Sequence, residues 1–175
     1  MNKFVYYANH LGKYLAKKDL KHLIVHVTNH CNFRCDHCFI DFSPKRDMKF
    51  PQYQEMGRRV GSLFWLDIGG GEPFLRKDLA EIVSCFDTRI VQIPSNGSLP
   101  DQMVEQINRM KKLSDREIII SLSLDGRRAT HDKIRGHPGS YDQVWKTAER
   151  LRRETGTYIK VLTVLQNGNV DDIIP

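Results

Sequence analysis

Five apolar stretches alternate with helical patterns along this sequence of 175 residues, and this alternation limits the folds that the chain can adopt. The predicted strands cover residues 22–27, 64–68, 89–93, 117–124 and 158–165. Strands that alternate with helices form parallel sheets with right-handed crossovers, and their helices pack outside the sheet. The pattern therefore predicts an α/β fold in which functional groups collect at the carboxyl ends of the strands.

Apolar residues at helical spacing predict the helices between these strands. A second helix begins at Pro51, because proline suits the first helical turn, and it extends to about residue 63. The stretch from the fourth strand to Gly139 is predicted to be a polar loop. The other predicted helices have apolar faces formed by Tyr7, Leu11, Tyr14 and Leu15 (helix 4–18), by Leu79, Ile82, Val83 and Phe86, by Met103, Val104, Ile107 and Met110, and by Val144, Ala148 and Leu151.

Three of the four cysteines, Cys31, Cys35 and Cys38, lie within eight residues, in a loop that follows the first predicted strand and runs on to about residue 46. Three thiolates this close together can bind one metal centre, but they cannot complete an all-cysteine four-coordinate site. An iron–sulfur cubane held by three thiolates leaves one iron without a protein ligand. That iron is free to bind a small molecule.

A zinc site is the alternative interpretation of these cysteines. Structural zinc sites usually contain paired CxxC elements, and this sequence has no second pair. His37 could serve as a fourth ligand, but its position between Cys35 and Cys38 is poor for closing a tetrahedron. The fourth cysteine, Cys85, falls in a helical pattern and is interpreted as a small core residue.

The amino-acid composition indicates which class of protein this sequence encodes. Hydrophobic residues make up 40% of the chain and charged residues 27%, which is typical of a soluble globular domain. No apolar stretch has the length of a membrane span, and residues 1–21 lack the apolar core of a signal peptide. Clustered free thiols suit a reducing cytoplasm, so we predict a cytoplasmic protein with no membrane partner. The net charge of +6 comes without a basic stripe interleaved with aromatic residues, and no specific nucleic-acid partner is indicated.

Polar and glycine-rich clusters follow three of the predicted strands. They are Gly69–Pro73, Ser95–Gly97 and Ser121–Gly126. Taken alone, each cluster could be an ordinary turn after a strand. Alternation along the fourth strand, however, puts Ser121, Ser123 and Asp125 on one face, which is too polar to pack against helices. That face is predicted to point into the barrel and to contact a polar ligand.

The CxxxCxxC spacing of Cys31, Cys35 and Cys38, together with Gly70-Gly71-Glu72-Pro73, resembles the radical S-adenosylmethionine (SAM) enzymes. The resemblance implies a partial (βα) barrel with parallel strands and outer helices, and a 4Fe–4S cluster held by the three cysteines. It further implies that SAM chelates the open iron, that one electron breaks its C–S bond, and that the resulting adenosyl radical abstracts hydrogen from a substrate.

The same resemblance implies which residues bind the cofactors. The metal ligands are Cys31, Cys35 and Cys38. Glu72 would bind the SAM amino group, Ser123 the ribose or carboxylate, and Arg135 the carboxylate. His37 departs from the family, which commonly has an aromatic residue there to stack near the adenine. The complete set of cofactor-binding residues implied is His37, Gly70, Gly71, Glu72, Ser95, Asn96, Ser123, Asp125 and Arg135, and the matched pattern continues through His131 and Asp132.

The stretch Gly139-Ser140-Tyr141-Asp142 resembles the branch of this family that modifies peptides and proteins, including sulfatase-maturing and peptide-cyclising enzymes. That branch implies a peptide or protein substrate and an electron donor such as flavodoxin or ferredoxin. The family usually has six βα units, whereas this sequence shows about five, in a core domain at 22–175 after a helical extension at 1–21. Two alternatives therefore stay open: an inactive fragment or partner-dependent subunit, and a non-catalytic metal- or iron–sulfur-binding module.

Overall fold

The computed structural model describes residues 3–16, 21–43 and 46–173, and its centre is one sheet of five parallel strands. The strands lie side by side in chain order, so each βα unit adds one strand to the growing edge. This arrangement confirms the predicted α/β class and partial barrel. The strands are β1 (His22–His26), β2 (Trp65–Gly69), β3 (Ile90–Ser95), β4 (Glu117–Ser123) and β5 (Tyr158–Leu162).

Helices connect the strands and follow the last one. In order they are α1 (Lys3–Leu15), α2 (Phe50–Val60), α3 (Leu79–Ser84), α4 (Pro100–Leu113), α5 (Arg128–Arg135), α6 (Ser140–Thr155) and α7 (Val170–Ile173), with a short 3-10 turn at Pro73–Leu75. Pro51 lies in the first turn of α2, as predicted. Within the described residues, no helix is long and apolar enough to span a membrane.

Helix α5 contradicts the predicted polar loop before Gly139. The helix is short and mostly charged, and Ile134 is its one buried aliphatic residue, so it shows little apolar periodicity. Its end is marked by Gly136, whose φ of 62° is the left-handed conformation that commonly terminates helices. The terminating glycine was therefore visible in the sequence, although the helix before it was not.

Alternate residues of the central strands pack against the helices. Ile68, Ile93 and Ile120 are fully buried in the core between the sheet and the outer helices. Strand β3 extends two residues beyond its predicted end, through Pro94 and Ser95, and pairs there with β4. Proline is rare in central strands because it cannot donate a hydrogen bond, which is why the sequence pattern ended this strand too early.

Strand β1 is more exposed than its apolar residues would suggest. Val25 is buried, but Ile24 is 62% exposed, and His22 and His26 are exposed beside it. Strands β1 and β5 are the two edges of the sheet, and no pairing joins them among the described residues. The inner side of β1 is therefore not covered by the opposite wall of a closed barrel.

The apolar face predicted for α1 is also wrong. Leu11 and Leu15 point to solvent, whereas Tyr6 and His10 are buried against the chain that precedes β2. The hydroxyl of Tyr6 donates to the carbonyl oxygen of Leu63 at 3.0 Å, so a polar atom fixes the contact. The predicted end of this helix at 17–18, residues 44–45 of the predicted cysteine loop and residues 174–175 lie outside the described part.

Replacing Gly57 by alanine is expected to destabilise the fold. A Cβ atom on Gly57 would lie 1.9 Å from the backbone oxygen of Cys85, so α2 and α3 would have to separate. Overpacking of this kind costs about 1–3 kcal/mol. Gly12→Ala in α1 is the matched control, because no atom lies within 4 Å of its added Cβ and alanine favours helix. Urea unfolding should show a lower midpoint for the first variant only; equal midpoints would contradict this packing.

Candidate functional site

The cysteine loop follows β1 and is held by backbone hydrogen bonds on two sides. On the β2 side, the N–H of Gly71 donates to the Thr28 oxygen at 2.8 Å, and the N–H of Glu72 donates to the His30 oxygen at 2.9 Å. On the α5 side, the N–H of Asp36 donates to the Ile134 oxygen at 2.9 Å. Backbone hydrogen bonds thus hold the loop between the end of β2 and the end of α5.

Gly71 allows this close approach. A Cβ atom there would lie 2.2 Å from the His30 oxygen and 3.0 Å from the Cys31 Cβ. Gly70 has a φ of 142°, and its added Cβ would lie 2.4 Å from the Thr28 oxygen. These glycines therefore pack the β2 turn directly under the cysteine loop, in addition to lining the cavity described next.

Cys31, Cys35 and Cys38 line one cavity of about 320 Å³ at the carboxyl ends of the strands. All three thiols are free and partly buried. Burial raises the pKa of the Cys31 and Cys35 thiols, so cofactor binding as thiolates would release protons. Among the described residues, no three His, Cys, Asp or Glu side chains are grouped so as to hold a single metal ion.

Donor groups reach two of the cysteine sulfurs. The N–H of Phe33 donates to the Cys31 Sγ at 3.4 Å, and the Arg135 Nη1 lies 3.7 Å from the Cys35 Sγ. Such donors stabilise negative charge on thiolate ligands. Three free soft donors around one cavity, two of them with polar hydrogens directed at the sulfur, fit an iron–sulfur cluster.

Most of the residues predicted to bind a cofactor share this cavity. Asp125 is the exception, because its side chain is completely buried and lies behind Arg135. Ser121, on the same face of β4, does not line the cavity either. The predicted residues that line it are His37, Gly70, Gly71, Glu72, Ser95, Asn96, Ser123 and Arg135.

Glu72 is a buried carboxylate at the end of β2. Its oxygens accept hydrogen bonds from the Asn96 N–H at 2.8 Å, the Ser95 hydroxyl at 3.0 Å and the Phe74 N–H at 3.2 Å. Burial raises the pKa of Glu72 to about 7, against the opposing effect of these donors. The carboxylate is thus poised to become charged when a cationic group enters the cavity.

The turn after β3 joins Glu72 to the cysteine loop. The side-chain amide of Asn96 donates to the Asn32 Oδ1 at 3.0 Å, and the same nitrogen lies 3.9 Å from the Cys31 Sγ. From the other side, the Thr147 hydroxyl of α6 donates to the Gly97 oxygen at 2.7 Å. The predicted Ser-Asn-Gly turn therefore fixes one wall of the cavity.

Sequence reasoning missed the wall formed by the two edge strands. His26, Phe39, Leu162 and Val164 line the cavity, and the His26 ring lies 6.0 Å from the Phe39 ring. Alternation along β1 and β5 places His26 and Leu162 on the inner face, so period two could have indicated both. Phe39 lies in an irregular loop, and no periodic signal marks its position.

The family model for the radical SAM superfamily matches residues 25–174 of this chain. The chain belongs to the radical SAM superfamily. Members of this superfamily use a 4Fe–4S cluster and SAM, so the resemblance predicted from the cysteines and the strand-end motifs is confirmed.

Three relatives of this chain are longer proteins. It is 29% identical to the Fe-coproporphyrin III synthase of Methanosarcina barkeri, covering 89% of this chain and 40% of the relative. It is 27% identical to the subtilosin biosynthesis protein AlbA of Bacillus subtilis, and the match covers 87% of this chain and 35% of AlbA. It is 30% identical to the mycofactocin maturase MftC of Mycolicibacterium smegmatis, and the match covers 84% of this chain and 38% of MftC. The chain thus spans less than half the length of each.

Solved structures confirm the fold of this superfamily chain. Streptococcus suis SuiB, bound to the precursor peptide SuiA, superposes with a TM-score of 0.71 at 17% identity, covering 99% of this chain and 41% of SuiB. The protein anSMEcpe with bound AdoMet gives a TM-score of 0.63 at 21% identity, and the match covers 82% of this chain and 43% of anSMEcpe. Both matches show the same fold of βα units over the part of each chain that superposes.

Replacing Gly71 by alanine is expected to weaken iron binding by this superfamily core. The added Cβ would displace the cysteine loop at His30 and Cys31, and the thiols would lose their shared geometry. We expect iron per chain after anaerobic reconstitution to fall to less than about half that of the native protein. Gly168→Ala, which has no atom within 4 Å of its Cβ, is the matched control. Equal iron content in the two variants would show that the loop tolerates the shift.

Proposed function

We propose that this chain is the catalytic core of a radical SAM enzyme that acts on a peptide or protein. The observation that carries the proposal is the convergence of three free thiols, Glu72 and Ser123 on one cavity at the carboxyl ends of the strands. When bound there, the reduced 4Fe–4S cluster supplies the electron that cleaves SAM to a 5′-deoxyadenosyl radical.

The cavity residues bind and orient the cofactors. Cys31, Cys35 and Cys38 would hold the cluster, and one iron would remain for SAM. Glu72 would accept a hydrogen bond from the SAM amino group, and a charge-assisted hydrogen bond to a carboxylate is stronger than a neutral one. A cavity of about 320 Å³ is within the range of small-molecule sites.

The remaining cavity residues complete the SAM site. Ser123 provides a hydroxyl for the ribose or carboxylate, and Asn96 and Ser95 shape the wall beside it. His37 offers a ring near the adenine, and its Nδ1 has no hydrogen-bond partner among the described residues. Leu162 and Val164 form an apolar side of the cavity.

The peptide or protein substrate is supported by the sequence around Ser140 and by the kinds of protein that this chain resembles. AlbA is a bacteriocin biosynthesis protein, and SuiB binds a precursor peptide. Similarity to a synthase of Fe-coproporphyrin III shows that other substrates occur among the relatives, so the experiment must compare classes. A flavodoxin or ferredoxin as electron donor and a cytoplasmic location complete the proposal.

Formation of 5′-deoxyadenosine tests the proposed activity. The anaerobically reconstituted protein is incubated with dithionite and SAM, and the products are separated by liquid chromatography. We expect 5′-deoxyadenosine from the native protein and none from Cys35→Ala. Adding candidate peptides or a tetrapyrrole should raise the rate only for the true substrate class. SAM binding without any cleavage would contradict catalysis and support a binding module.

A further inference from the structure

The guanidinium of Arg135 lies between a predicted cluster ligand and a buried carboxylate. Its Nη2 pairs with the Asp125 Oδ2 at 2.6 Å, and its Nη1 lies 3.7 Å from the Cys35 Sγ. The side chains of Arg135 and Asp125 are 9% and 0% exposed. Both terminal nitrogens of this arginine are therefore committed to groups of the chain itself.

Two elements fix this geometry. The Asp125 Oδ1 accepts a hydrogen bond from the Val164 N–H at 3.0 Å, and the Asp125 N–H donates to the His131 Nδ1 at 3.0 Å. Asp125 is thus tied through its carboxylate to the segment after β5 and through its backbone N–H to α5. A guanidinium held in this way cannot move from Cys35 without breaking buried contacts.

We propose that Arg135 raises the reduction potential of the cluster that Cys35 would hold, and that the Asp125 carboxylate paired with it partly offsets this effect. This inference rests on the proposed function and gives Arg135 a different role from the SAM-carboxylate contact that the family resemblance implies. Reduction adds negative charge to a cluster, and a nearby cation that donates towards a ligand sulfur stabilises the reduced state. Salt screens this effect only weakly, because both Arg135 and Asp125 are buried.

Arg135→Gln tests the inference, with Arg76→Gln as the matched control. Arg76 is also largely buried and pairs with Asp78 at 2.7 Å, but it does not line the cysteine cavity. Each reconstituted protein is assayed for iron content, for SAM affinity by calorimetry, and for midpoint potential by electron paramagnetic resonance (EPR) during redox titration without SAM. We expect Arg135→Gln to lower the equilibrium constant for one-electron reduction about tenfold, which is about 59 mV.

The control and two further variants sharpen the result. Arg76→Gln should leave the potential unchanged, and Arg135→Lys should keep it near the native value because the charge remains. Asp125→Asn removes the neutralising carboxylate and should raise the potential, opposite in sign to Arg135→Gln. These expectations hold even if Arg135→Gln fails to fold, because the lysine and asparagine variants still report on the charge at Cys35.

Several results would overturn the inference. An unchanged potential in Arg135→Gln, with iron content intact and SAM affinity reduced, would make Arg135 a SAM ligand. Equal shifts in the Arg135→Gln and Arg76→Gln variants, or a lower potential in Asp125→Asn, would show a general structural effect. A native protein that takes up no cluster would instead contradict the proposed function itself, together with this inference.

Discussion

Replacing any one of Cys31, Cys35 and Cys38 by alanine is expected to abolish the 4Fe–4S cluster. The three thiols are free and line the same cavity, and a site-differentiated cluster has no spare protein ligand. We expect iron and sulfide per chain after anaerobic reconstitution to fall to about the background of the unreconstituted protein. The visible absorption of the cluster should disappear in parallel.

Cys85→Ala is the matched control for these three variants. Cys85 caps the end of α3, packs against the hydrophobic core and does not line the cavity. Its replacement should leave iron content at the native level, apart from a small loss of stability. Full loading in any of the three loop variants, or loss of loading in Cys85→Ala, would mean that the ligands are wrongly assigned.

Glu72→Gln is expected to weaken SAM binding about tenfold or more while the cluster remains. The substitution keeps the size of the side chain but removes the negative charge that we propose faces the SAM amino group. Losing a hydrogen bond to a charged group costs about 1.5–3 kcal/mol. Calorimetric titration of SAM into the reconstituted protein measures the change. Glu55→Gln on the exposed side of α2 is the control, and an equal effect of both variants would contradict the assignment.

The dependence of SAM affinity on pH should follow the Glu72 carboxyl. Burial raises the pKa of Glu72 to about 7, so the carboxylate is protonated as pH falls below that value. Native affinity should therefore decrease as pH falls through 7, whereas the affinity of Glu72→Gln should stay flat. The stability of the SAM-free protein should depend on pH in the opposite direction. The raised pKa of Glu72 stabilises the folded state at pH values below the carboxyl pKa of the unfolded chain, and this stabilisation is lost as pH rises through 7.

The order of strands and most helices could be predicted because apolar periodicity is a local property of the chain. The buried face of α1 could not, since it depends on contacts with the chain before β2, which is remote in sequence. The Tyr6 hydroxyl donates to the Leu63 oxygen, and the His10 ring packs against the Phe64 ring. The exposure of β1 depends on whether another element covers its inner face, and its own residues contain no signal for that.

The candidate site was predictable to the extent that parallel strands gather their carboxyl ends at one edge. This rule brings Glu72, Asn96 and Ser123 together from three strand ends. The position of Asp125 behind Arg135 was not predictable, because it depends on α5, a helix that the sequence pattern does not show. The role of Gly71 in packing the cysteine loop likewise depends on a contact between two separate turns.

The EPR spectrum of the reduced, reconstituted protein before and after addition of SAM tests the proposed cluster site most directly. We predict a 4Fe–4S signal whose g-values change with SAM, because SAM is proposed to bind the iron that Cys31, Cys35 and Cys38 would leave open. Glu72→Gln should require a higher SAM concentration for the same change. A 4Fe–4S spectrum that saturating SAM leaves unaltered, or no such spectrum at all, would contradict the central claim.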